Sequence, residues 1–197
     1  MEIIMSLTLF PVAALITSSV AIGLFIVKEC RESCKKKKAD NLKLISLCLL
    51  FLEKIRINKL TAKQLDLFSD AILNGEYNYW EVKYEFGMIT IGSGLDRANK
   101  HDLLSFAEKD FFEKGIYELA FLDVDLFNDV TKLIIEIDEF NLQLKRLLFV
   151  LYVNNYKHTN IENIKKSLKR FNDYIEKKFT PILNSVESKC KKIGSVE

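Results

Sequence analysis

Few side chains in this chain are suited to chemistry. With 2 histidines among 197 residues, acid–base work falls to His101 and His158. Each has a polar companion at a telling spacing. Arg97 precedes His101 in RANKH, giving Arg-x-x-x-His. A guanidinium that holds developing charge beside an imidazole that moves a proton is the chemistry of phosphodiester cleavage. In FVLYVNNYKHTN, residues 149–160, Asn154 and His158 stand at i and i+4 and share one helix face. The first pair falls in a glycine-containing loop and reads as a surface pair. The second ends a long apolar run, as a remnant of a site or as the polar last turn of a helix, where a cation or polar group meets the negative end of the dipole.

No P-loop, G-x-S-x-G, H-E-x-x-H or paired C-x-x-C is present. Cys30, Cys34, Cys48 and Cys190 lack metal-ligand spacing and read as free thiols in a reducing compartment. Asp123, Asp125 and Asp129 do not follow a calcium-loop pattern. No cofactor and no metal site is expected.

The elements that must position these groups are helical. Hydrophobic residues make up 49% of the chain against 7 Gly and 2 Pro, too few turn residues for a sandwich or barrel. The net charge of +2 is the remainder of 29 basic and 27 acidic residues, so no global field draws the protein to nucleic acid. The charge is segmented instead. Residues 28–38 hold six basic and two acidic side chains, and residues 102–139 hold eleven acidic and three basic ones. Helical carboxylates of this kind form a solvated face or a docking surface for a partner.

Residues 3–27 carry no charge, and as a helix they reach roughly 37 Å at about 1.5 Å per residue. A hydrocarbon core is about 30 Å thick, so the run predicts one transmembrane helix. The first six residues lack Lys and Arg and no small-x-small cleavage site follows, which argues against a signal peptide. The basic block beginning at Lys28 then sets the N-terminus outside and about 170 residues in the cytoplasm by the positive-inside rule. Lys35, Lys36, Lys37 and Lys38 would meet anionic headgroups. Ala14, Ser18 and Ala21 share a stripe with Pro11, and Thr17 lies beside it. Small, hydroxylated faces suit close helix packing or a pore lining; a plain anchor whose hydroxyls bond back to its own helix suits them as well.

Beyond the membrane, residues 1–38 give way to a helical domain over 39–197. A central helix is expected over 40–57, since its apolar face is too broad for a surface helix and its length too short for a confident second span. Thr61 and Gln64 form a capping box for a separate helix ending at Asn74-Gly75. Trp80, Val82, Tyr84 and Phe86 alternate with charged residues and predict a small β-hairpin. Asp102 should cap a helix that Gly115 stops. A helix over 125–156 and another from Thr159 or Asn160, kinked at Pro181, complete an up-and-down bundle.

VNNYKH, residues 153–158, resembles the Arg-Asn-x-x-x-His box of HEPN domains, with Asn154 and His158 matched, near the end of one long helix and before another. Val153 stands at the Arg position and cannot stabilise a scissile phosphate, so the resemblance implies a degenerate box and no enzyme activity. The whole layout is similar to the small membrane accessory proteins of type VI-B CRISPR loci. That resemblance implies an all-α fold with one transmembrane helix and an HEPN-like bundle. It also implies a homo-oligomeric ring of six or more subunits forming an inner-membrane pore in antiphage defence, linked in function to an RNA-guided ribonuclease. Direct RNA contact stays open. Two rivals remain: an anchored ribonuclease that borrows Arg146 or Arg97 from another subunit, and a single-pass scaffold for a cytoplasmic partner.

Overall fold

The computed structural model describes residues 2–74, 81–85, 88–93, 100–153 and 161–195, with side-chain environments over 17–74, 105–152 and 162–195. The elements are α1 (Glu2–Leu73), β1 (Glu81–Glu85), β2 (Met88–Ser93), β3 (Lys100–Leu104), α2 (Asp110–Leu122), α3 (Val124–Val153), α4 (Ile161–Tyr174), a π-helical turn (Ile175–Phe179) and α5 (Thr180–Gly194). The chain divides into two compact units, Met1–Lys43 and Leu44–Glu197. The second is a helical bundle carrying a small sheet.

Three sequence expectations change here. The break between residues 57 and 61 does not exist, because α1 continues to Leu73. Thr61 is buried and its hydroxyl lies 3.1 Å from that of Ser105, so it joins α1 to a neighbouring segment instead of capping a helix. Asp102 begins no helix; it lies in β3, opposite Ile91. The expected hairpin is present as β1 and β2 in antiparallel register, Glu81 opposite Gly92, and β3 extends it to a meander. Trp80, Phe86 and Arg97 lie outside the described residues, while His101 sits in β3.

In the bundle, α1 turns Cys48, Phe51, Ile55, Ala62, Leu65, Phe68 and Ile72 inward at spacings that keep one face buried. Phe51 packs on Phe112 at 5.2 Å and edge-on to Phe111 at 6.2 Å. Gly115 does not stop α2 but sits buried inside it, where a Cβ would come within 2.8 Å of the Phe51 ring. The glycine is there to let two helices approach closely. Asp123, in extended conformation, ends α2 and caps α3 by accepting the Leu126 N–H at 2.8 Å. The helix expected to start at residue 125 therefore starts at Val124, and its buried stripe runs through Leu126, Val130, Leu133, Ile137, Phe140, Leu144, Leu148 and Leu151.

The last helical stretch shows why phase matters. Phe171, Ile175, Phe179 and Leu183 are all buried and follow one another at intervals of four. In an α-helix each interval of four advances the face by about 40°, so three would turn the seam well out of the core. The turn over Ile175–Phe179 is π-helical, closed by Thr180 N–H to the Ile175 carbonyl, and its wider turns bring the seam back. Phe179 then stacks on Phe140 at 4.2 Å and 21°. The phase shift also explains why Leu183 is buried and Ile182 only partly so. Pro181 opens α5, where a missing N–H is tolerated.

Two asparagines fasten the segment leading from β3 into α2. Asn58 on α1 donates to the Glu108 carbonyl at 3.0 Å and accepts the Glu108 N–H at 2.8 Å. Asn141 on α3 brackets Ala107 in the same way, at 2.9 and 2.8 Å. Asn58 is fully buried. Replacing it by alanine strands both backbone groups of Glu108, and Asn58→Ala is expected to lower stability by about 2–4 kcal/mol, read from urea unfolding of the full chain.

Candidate functional site

In the first unit, the described part of the uncharged run is a helix with no cover. Val20, Ile22, Leu24, Phe25, Ile26 and Val27 are all exposed. Successive helical residues point about 100° apart, so this apolar surface encircles the helix and does not form a stripe. Thr17, Ser18 and Ala21 are exposed on it, while Ala14 lies outside the described side chains. Among the described residues no helix is long and apolar enough to cross a membrane. Residues 3–16 of the run lie outside the described side chains. Lys35, Lys36, Lys37 and Lys38 follow, all exposed, and none is ion-paired among the described residues.

In the second unit, Asn154 and His158 of the expected box lie outside the described residues, as do all of residues 154–160. The flanking helices α3 and α4 are described. Gln143, Arg146, Leu147 and Val150 of α3 and Ser167, Arg170 and Phe171 of α4 line a groove of about 240 Å³. The Phe171 and Leu147 side chains are its buried apolar floor, and the two arginines stand at its exposed edge. Lys165, Lys166 and Lys169 continue the basic face of α4. No carboxylate pairs with any of these five cations among the described residues. Gln143 is engaged, donating to Glu139 at 2.6 Å. The arrangement can hold an anion, with guanidiniums to grip and Ser167 to donate.

Sequence reasoning singled out Arg146 as a substitute for the missing arginine and overlooked Arg170. The signal was available: KKSLKR places four cations on the polar side of a strongly amphipathic helix. Arg97 and His101 are not brought to this groove by any described contact.

The acidic surface expected over 102–139 is largely tied up. Lys109 pairs with Asp138 at 2.8 Å and Glu113 at 3.2 Å, which raises its pKa. Lys54 reaches Glu108, and Asp129 receives Lys189 at 2.7 Å. Glu136 anchors Tyr174, whose hydroxyl lies 2.8 Å from its carboxylate; burial and that neighbour push the phenol up. Elsewhere, Glu187 takes Lys191 and Lys59 and is held below the ordinary carboxylate range. Buried Cys48 and Cys190 touch, and the Cys190 thiol is pushed up by donating to Cys48 and by burial.

Comparison of the chain with protein families, curated proteins and solved structures finds no match.

One carboxylate is out of balance. Partial burial raises the Asp66 pKa, and Asp70 and Glu176 raise it further by repulsion. Because the folded pKa lies above the unfolded one, the charged form opposes folding above the folded pKa, and the opposition fades as pH falls through that value. Asp66→Asn is therefore expected to raise Tm at pH 7, with the gain over the unaltered protein vanishing below about pH 3, where both states are protonated. Thermal unfolding at the two pH values checks it.

Proposed function

We propose that the chain is a self-associating membrane effector that permeabilises the bacterial inner membrane, in the manner of the small accessory proteins of type VI-B CRISPR loci that its layout resembles. The observation that carries this reading is the conjunction at Val27. An apolar surface that encircles its helix gives way at once to a basic block whose lysines 35–38 have no acidic partner among the described residues. An all-round apolar helix needs an apolar medium or like helices on every side. A dense cationic collar needs phosphate beside it. A bilayer supplies both at the right separation, with the 25-residue uncharged run in the hydrocarbon and the bundle on the cytoplasmic side.

One helix conducts nothing. Several copies in a closed ring of six or more, with Ala14, Thr17, Ser18 and Ala21 facing one another or the lumen, make a wall that apolar constriction can gate. In this reading the protein needs no cofactor and performs no catalysis, and its activity is linked to that of an RNA-guided ribonuclease. Light scattering of the detergent-solubilised protein, corrected for bound detergent, is expected to give a discrete assembly, and liposomes loaded with a small dye should leak. Ala14→Leu with Ser18→Leu should cut the leak by about tenfold or more by blocking close approach. Unchanged assembly and leakage in that variant would sink the pore stripe.

A second reading, the membrane-anchored ribonuclease, draws support from Arg146 and Arg170, which line one groove and have no acidic partner among the described residues. It uses Asn154 and His158 of one copy with Arg146 of another. It requires that purified protein cut single-stranded RNA and that His158→Ala abolish the cutting; the effector reading expects no cleavage from either.

A further inference from the structure

The bundle unit carries two exposed faces that point away from each other. On α1, Phe51 is turned onto α2, and Leu49, Glu53 and Arg56 lie about 140–200° around the helix from it. Leu49 is 58% exposed, and Glu53 and Arg56 are exposed beside it. On α2, Phe112 is turned onto α1, and Asp110, Lys114, Tyr117 and Phe121 lie about 140–200° from it in the same way. All four are exposed, Tyr117 by 77% and Phe121 by 91%. Asp110 and Lys114 have no ion pair among the described residues, and no described element covers either face.

The two faces also lie level with each other. Phe112 packs on Phe51, and a Cβ three residues on, at Gly115, would meet both Phe51 and Leu47. Within one copy α2 therefore runs antiparallel to α1, and its outer residues match the stretch of α1 around residue 50 to within about a turn. Laid antiparallel on α1 of a second copy at that level, α2 sets Asp110 beside Arg56, Lys114 beside Glu53 and Tyr117 beside Leu49, with Phe121 one turn further on. Both faces advance in steps of three and four, which keep two helices in contact along a seam. From this we infer that α2 of one copy packs on α1 of the next through these three pairs, each copy offering α2 to one neighbour and α1 to another.

Charge fixes the register. Slid by one turn in one direction, the seam sets Lys114 against Arg56; slid the other way, it sets Asp110 against Glu53. In register, the Glu53–Arg56 bridge at 2.7 Å becomes part of four alternating charges. The contact is heterologous, so it propagates by rotation and can close as a ring. Because α1 and α2 are antiparallel within a copy, rotation about an axis along α1 builds the contact and leaves every α1 pointing the same way, as copies in one membrane must. Helix axes about 8–10 Å apart in each contact put successive α1 helices roughly 16–20 Å apart at this level. In a ring of six, a tilt of about 10° over the roughly 50 Å of α1 leading back to the uncharged run brings them together there. The contact supplies the ring of the proposed effector with its protein surface and rests on that reading.

Disulfide cross-linking of the full chain in detergent tests it. Exposed Cys30 and Cys34 are first replaced by serine, while buried Cys48 and Cys190 stay. A chain carrying both Leu49→Cys and Tyr117→Cys should give, on mild oxidation, a ladder of covalent oligomers running beyond the dimer. Either single variant should give about tenfold less cross-linked product. Lys114→Glu should cut the ladder about fivefold, and adding Glu53→Lys should restore it. A product that stops at the dimer, or single variants that cross-link as well as the double, would overturn the proposal in favour of a twofold contact. Light scattering, and dye leakage after reconstitution into liposomes, separate its failure from that of the effector reading. A discrete assembly that leaks and yields no ladder overturns this contact alone; a monomer that neither leaks nor cross-links overturns both.

Discussion

The bundle depends on how the segment 105–109 is held between α1 and α3. A primary amide offers a donor and an acceptor side by side, as a peptide unit does, so one asparagine can stand in for a neighbouring strand. Asn58 of α1 does this for Glu108 and Asn141 of α3 for Ala107. The bracketed segment enters α2 at a fixed point, with Phe112 and Glu113 N–H groups closing on the Lys109 carbonyl at 2.8 and 3.1 Å. From that start follow the contacts of Phe111 and Phe112 with Phe51 and the close approach at Gly115. Buried amides rarely survive without full satisfaction, and here every bond they make also orders backbone.

How much of this is legible in the sequence follows from which signals are periodic. The helices over 124–153 and 161–194 show in spacings of three and four, and the β1–β2 hairpin shows in alternation. The capping box at Thr61 misleads because hydroxyl-x-x-amide occurs by composition, and only tertiary context reveals that Thr61 faces Ser105. Gly115 misleads for a related reason, since glycine marks either a stop or a close approach, and the Phe51 ring that decides between them is 64 residues away. The π-helical turn was readable: three successive intervals of four from Phe171 to Leu183 cannot stay on one α-helical face. Attributing the irregularity to Pro181 overlooked that phase.

The candidate sites divide along the same line. The uncharged run and its basic flank need only composition to be seen. The groove with Arg146 and Arg170 needs two helices to be laid side by side in register, which spacing within one helix does not supply. Asn154 and His158 show the reverse difficulty, a local match of spacing whose meaning depends on residues that spacing alone does not name.

Two uncovered surfaces of α1 differ in width, and width says what can meet them. Over 20–27 the exposed apolar side chains point in every direction, so whatever satisfies them must surround the helix. Over 49–67 they occupy a band about 60° wide at about 100° per residue, with core on the far side, so a single flat neighbour satisfies them. Glu53 and Arg56, bridged at 2.7 Å in the middle of that band, give it charge that the all-round apolar surface lacks, so the two surfaces do not call for the same neighbour.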